Sequence, residues 1–102
     1  MRNFILTLPL VTIMAGAAAA DPHDENCAAV AAVAEMTMKS RQAGVPLGQM
    51  LTILSDNGDI EIFRTITLAA YDRPRMNVPK NQERMISDFR DEWHLLCLQA
   101  GG

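Results

Sequence analysis

The chain holds only two cysteines, Cys27 and Cys97, and whether they meet decides which folds are open to it. Cys97 sits in the stretch Pro79 to Ala100 (PKNQERMISDFRDEWHLLCLQA), whose apolar residues fall at Met85, Ile86, Phe89, Trp93, Leu96 and Cys97. That is the i, i+3, i+4, i+7 spacing of an amphipathic helix with one buried stripe. The stripe also carries the only Trp, so the largest burial and a covalent constraint are expected on one helix. Pairing of the two thiols requires an oxidising compartment, and the N-terminus bears on that.

Arg2, the apolar run Phe4 to Met14 (FILTLPLVTIM) and the small residues Ala15 to Ala20 have the three-part layout of an export signal, with cleavage expected after Ala20. The apolar run is about half of the ~20 residues that a spanning helix needs. Pro9 and the abrupt polar run DPHDEN from Asp21 argue against a core helix, and Asp24, Glu25 and Asn26 ahead of Cys27 argue against lipoprotein processing. The expected division is residues 1–20 as a signal peptide and residues 21–102 as a single helical domain, periplasmic or secreted, touching membrane only through the signal segment. Loss of Arg2 takes the formal net charge from −3 to −4. No basic patch remains, which weighs against nucleic acid as a partner. A domain of ~80 residues buries little more than about 60% of its unfolded surface and gains much from a covalent staple.

Taken in order, Asp21 to Asn26 reads as a short frayed lead-in. The run from about Asn26 to Ala43 is rich in Ala, the best helix former, with Cys27, Val30, Ala31, Ala34 and Met38 on one stripe and Gly44 as terminator. Pro46 suits the first position of a second helix, whose Leu47, Met50, Leu51 and Leu54 repeat at helical spacing before the turn signal Ser55 to Asp59. The next segment, IEIFRTITLAAYD, is ambiguous. Its β-branched residues suit a strand, yet Ile60, Phe63, Thr67, Ala70 and Tyr71 keep a helical stripe that Asp56 or Asp59 can cap, and no second strand exists to pair with it. Helix is the expectation over 60–71. Residues 72–78 form a loop, and Pro79 opens the last helix.

The expected fold is therefore all-α, a small bundle of about four helices. With short links the helices alternate in direction, so the start of the first and the end of the fourth lie at the same end. Cys27 and Cys97 occupy those two places, and a disulfide between the first and last helices is expected. Two free or intermolecular thiols are the alternative.

The chemistry-bearing residues form no recognisable catalytic set. His23 and His94 lie far apart in sequence, with neither HExxH nor CxxC spacing, so no metal and no cofactor are expected. Asp88, Asp91 and Glu92 with Arg84 and Arg90 make a charged face, Arg84–Asp88 being an i, i+4 pair. Asp56-Asn57-Gly58-Asp59 lacks the alternating ligands and closing Glu of a calcium loop. Arg41 and Gln42 end the first helix, and Tyr71 and Arg73 end the third. They read either as caps on terminal carbonyls with Tyr71 over the core edge, or as a rim that contacts a partner. Met36 and Met38 cannot face the same way, so one of them belongs at a surface, where flexible Met suits adaptable binding; core filling is the plainer use.

These residues resemble a loose group of small exported proteins of bacteria and their phages. The shared pattern is a signal peptide, a Cys, an Ala-rich helix ending in M-x-x-RQ-x-G (here Met38 to Gly44), a later A-Y-x-x-P (Ala70 to Pro74), and a terminal aromatic helix with a second Cys (Phe89 to Cys97). No established activity attaches to that group. The expected function is accordingly a non-enzymatic exported helical module that binds another protein. The alternatives are an acid- or stress-responsive periplasmic chaperone and a phage-type lysis regulator retained by its signal segment.

Overall fold

Asp21-Pro22 opens the first helix as a cap followed by a residue already fixed at helical φ. In the computed structural model, which describes residues 21–101, α1 spans Pro22–Gln42 and Asp21 Oδ1 accepts from the His23 N–H at 2.9 Å. The expected frayed lead-in is instead the first turn of this helix, because Asp21 satisfies an otherwise orphan N–H and Asp24 and Glu25 meet the positive end of the helix dipole. The signal peptide expected over residues 1–20 lies outside the described residues. Gly44, at φ +88°, turns the chain out of α1.

The second helix, α2, spans Leu47–Asp56. Pro46 sits one position before its first residue and not at it; the Pro46 carbonyl accepts from the N–H groups of Gln49 and Met50 at 3.1 and 3.2 Å. Gly58 and Asp59, at φ +98° and +49°, make the reversal after it. The ambiguous segment is a helix, α3, over Glu61–Tyr71. Neither expected cap forms. Ile60 occupies the cap position with no side-chain bond, and Asp59, in the left-handed region, pairs with Arg64 at 3.5 Å. The buried stripe is rotated accordingly to Ile66, Thr67 and Ala70, and Ile60 is left exposed. The fourth helix, α4, spans Pro79–Gly101 and opens on Pro79 as its sequence dictates.

The most extensive packing joins α1 and α4, which run antiparallel; α3 lies against α1, and α2 touches mainly α3. Cys27 at the start of α1 and Cys97 at the end of α4 form the disulfide, with Cα atoms 5.4 Å apart and a sequence separation of 70. Alanines allow the close approach: Ala31, Ala34 and Ala70 are buried. The core centres on Met38, Ile66 and Phe89, all 0% exposed, with Val30, Val33, Met85, Ile86 and Trp93 packed around it. Buried Thr37 and Thr67 satisfy their hydroxyls within their own helices, donating to the carbonyls of Val33 at 2.7 Å and Phe63 at 2.8 Å. Among the described residues no helix is long and apolar enough to cross a membrane. A closed disulfide fits an environment outside the reducing cytoplasm.

Candidate functional site

Arg41, Gln42, Tyr71 and Arg73 come together at the end of the bundle opposite the disulfide. The link between α3 and α4 folds over the last turn of α1, and the bonds between them are largely side chain to backbone. Arg41 Nε donates to the Arg73 carbonyl at 3.0 Å, and Gln42 Nε2 donates to the Pro74 carbonyl at 3.1 Å. Gln42 Oε1 accepts from the Met76 N–H at 2.7 Å, and Arg75 Nε donates to the Gln42 carbonyl at 2.9 Å. Tyr71 donates its hydroxyl proton to the Val45 carbonyl at 2.6 Å, and the Arg41 guanidinium lies over its ring. Arg73 stacks over the Phe89 ring and pairs with Glu92 at 2.6 Å. The R-Q-x-G and A-Y-x-x-P patterns are thus the two halves of one clasp.

The capping description fits only in part. Arg41 bonds the Arg73 carbonyl just past α3 and Tyr71 packs at the core edge, whereas the Arg73 guanidinium lies over Phe89 and meets Glu92 in place of a terminal carbonyl. Gln42 is 2% exposed and has no surface to present, whereas Arg41, Tyr71 and Arg73 remain half-buried. Gly44 completes the clasp: the Arg75 guanidinium carbon lies 3.1 Å from where a Cβ would stand, so a side chain there meets both an occupied site and an unfavourable φ. Replacing Gln42 with Ala leaves the Met76 N–H and Pro74 carbonyl without these bonds, and is expected to lower unfolding free energy by roughly 2 kcal/mol in a urea titration.

Burial pushes the Tyr71 phenol above its ordinary value of 10.0, with Arg41 pulling the other way. The folded state therefore favours the neutral phenol. Its contribution to stability is present below the ordinary tyrosine value and is lost as pH rises through the folded one. Tyr71 is the only tyrosine, so ultraviolet titration of tyrosinate reads it alone. The expected result is a midpoint above that of free tyrosine, and a Tyr71→Phe variant without this component of alkaline destabilisation.

The charged face of α4 is solvated. Arg90 pairs with Asp91 at 2.9 Å and with Glu35 of α1 at 3.6 Å, and Glu35 also meets Lys39 at 3.2 Å. The Arg90 bond holds the exposed Asp91 carboxyl below the ordinary carboxylate range. Arg84 and Asp88 line one shallow depression with Met76, Asn81 and Met85 but do not close the expected ion pair. Among the described residues no three His, Cys, Asp or Glu side chains gather as metal ligands do.

Two apolar concavities remain. One, of about 470 Å³, lies between α1, α2 and α3 and is lined mainly by Val33, Met36, Met50, Ile53, Leu54 and Phe63, with no charged residue in its wall. Met36 is 66% exposed at its edge while Met38 is 0% exposed, the division that their two-residue spacing demands. No residue of α2 is fully buried, so its apolar stripe Leu47, Met50, Leu51 and Leu54 is covered only in part. The other concavity, of about 450 Å³, lies at the disulfide end between His23, Val30, Ile62, Trp93, Leu96 and Cys97. The sequence puts His23 in a lead-in, although the Asp21-Pro22 cap signal points to its place in α1, and it groups Arg75 with the polar cluster from Tyr71 without indicating its bond to the Gln42 carbonyl. The chain matches no family model, no curated protein and no solved structure.

Proposed function

We propose that the protein is an exported, periplasmic helical module that binds another protein, and that the partner lays the apolar face of a single helix into the groove between α1, α2 and α3. The observation that carries this reading is an uncharged apolar groove whose edges leave Met36 66% and Ile53 46% exposed. Exposed apolar surface of this kind marks interaction sites, and a groove walled by helices suits an amphipathic helix anchored at i, i+3, i+4 and i+7. Methionine on two walls, Met36 and Met50, gives an adaptable surface. The absence of charge in the wall disfavours a charged segment as occupant, since its desolvation would go uncompensated. The disulfide and the N-terminal signal pattern support the location.

Titration of the folded protein with a designed Leu/Gln amphipathic helix, followed by amide chemical shifts, tests the groove. The expected shifts centre on Val33, Met36, Met50, Ile53 and Phe63, and Met36→Glu with Ile53→Glu abolishes them without lowering the melting temperature. Shifts centred on Arg41, Tyr71 and Arg73 would move the binding face to the clasp.

A further inference from the structure

His23, one turn ahead of Cys27, is part of the first turn of α1 and lies against the disulfide. Its Nε2 and Nδ1 are 3.6 and 3.9 Å from Cys27 Sγ. Gly101 leaves room for it there: a Cβ on Gly101 would fall well inside contact distance of three imidazole ring atoms, so a side chain at that position would displace the ring. The two sulfurs differ in access. Cys27 is 0% exposed, while Cys97 is partly exposed and lines the apolar concavity with Val30, Ile62, Trp93 and Leu96.

We infer that the Cys27–Cys97 bond is a thiol–disulfide exchange site, attacked at Cys97 by a cysteine thiolate carried on an apolar peptide segment, with His23 receiving Cys27 as it leaves. The proposal is independent of the α1–α2–α3 groove. In the first step the incoming thiolate forms a bond to Cys97 Sγ, the Cys27–Cys97 bond breaks, and its electron pair goes to Cys27 Sγ. The Cys27 thiolate takes the proton of a protonated His23 ring, leaving neutral imidazole and a mixed disulfide at Cys97. A second thiol of the same class then attacks the incoming sulfur and releases Cys97 as a thiolate. Two partner thiols are oxidised to a disulfide and Cys27–Cys97 is reduced to two thiols. Access selects which sulfur is attacked, and a cationic neighbour makes the other a better leaving group. The apolar wall beside Cys97 selects the segment that carries the thiol.

The test measures the rate of native-state exchange with two probes, a capped Leu-Cys-Leu peptide and glutathione, by acid quench, alkylation and mass spectrometry. Four results are expected. The first adduct maps to Cys97, and the peptide reacts faster than glutathione at equal thiolate concentration. The rate stays flat in low urea, so exchange does not pass through the unfolded chain. His23→Ala slows exchange about tenfold under conditions where it stays folded, while Gly101→Ala slows it by displacing the ring. An adduct on Cys27, a rate that climbs with urea from the start, faster reaction with glutathione, or an unchanged rate in His23→Ala overturns the proposal. The adduct map and urea dependence are read on the unmodified protein, so they decide even if a variant fails to fold.

Discussion

Truncating Phe89 to Ala is expected to leave the domain largely unfolded, with a loss of about 3–5 kcal/mol measured by chemical denaturation. Phe89 is the largest fully buried side chain, at 0% exposure, and it stands where α4 meets the Met38 and Ile66 side chains of the core. Its ring also serves groups outside the core. The Arg73 guanidinium lies 5.1 Å from its centroid, and Trp93 packs at 6.1 Å with the rings tilted by 57°. Removing the ring therefore opens a cavity between α1 and α4 and withdraws the surface on which one arm of the clasp rests. Small helical domains have total stabilities near the low end of about 5–15 kcal/mol, so this one truncation is comparable with the whole. Phe89→Leu, which keeps much of the volume, is expected to fold with a smaller loss.

Loss of the disulfide is the second large effect. Replacing Cys27 and Cys97 together with Ser is expected to cost roughly 4 kcal/mol, the chain-entropy value for a loop of this length. The bond joins residues 70 apart in sequence and closes α1 on α4, the most extensive helix pairing in the molecule. Without it, that pairing must be assembled across the full length of the domain against the entropy of the open chain. Equilibrium urea unfolding of the oxidised protein and the double variant measures the difference. The clasp at the other end bears on the outcome: its bonds from Arg41, Gln42 and Arg75 also tie α1 to the approach of α4. The double variant is expected to open first at the Cys27 end, with amide exchange fastest near His23 and Ala100 and slowest near Met38.

Periodicity made the helices legible because each has a face that must be buried. The Cys27, Ala31, Ala34, Met38 stripe reads directly as the face of α1, and Pro79 marks the start of α4. The disulfide was legible from topology, since an even number of alternating helices returns the chain to the end where it began. Local chemistry was harder. Asp59 looked like a cap for α3, but a left-handed backbone points its carboxyl at Arg64 instead. The polar run from Asp21 to Asn26 reads as a frayed lead-in that includes His23, and the place of His23 beside Cys27 follows only once α1 is extended to include it.

The candidate site shows the same division. Arg41, Gln42, Tyr71 and Arg73 read in the sequence as two short clusters, either caps or a partner-contacting rim. What joins them is the path of the 72–78 loop, which no periodicity describes; folded over α1, it turns Gln42 into a buried bridge and Arg73 into a lid on Phe89. Conversely, the groove was written in the sequence only as a parity clash between Met36 and Met38. Its other wall depends on how little of α2 is covered, a property of packing between helices and not of any one of them.

The most direct measurement of the binding face is site-specific photo-crosslinking of the protein in its own cell. A benzophenone side chain replaces Met36, Ile53, Arg41 or Arg73 in turn, with the disulfide intact. Binding through the groove predicts one shared adduct from positions 36 and 53 and none from 41 and 73. An adduct from the clasp positions alone, or none from any of the four, would contradict it.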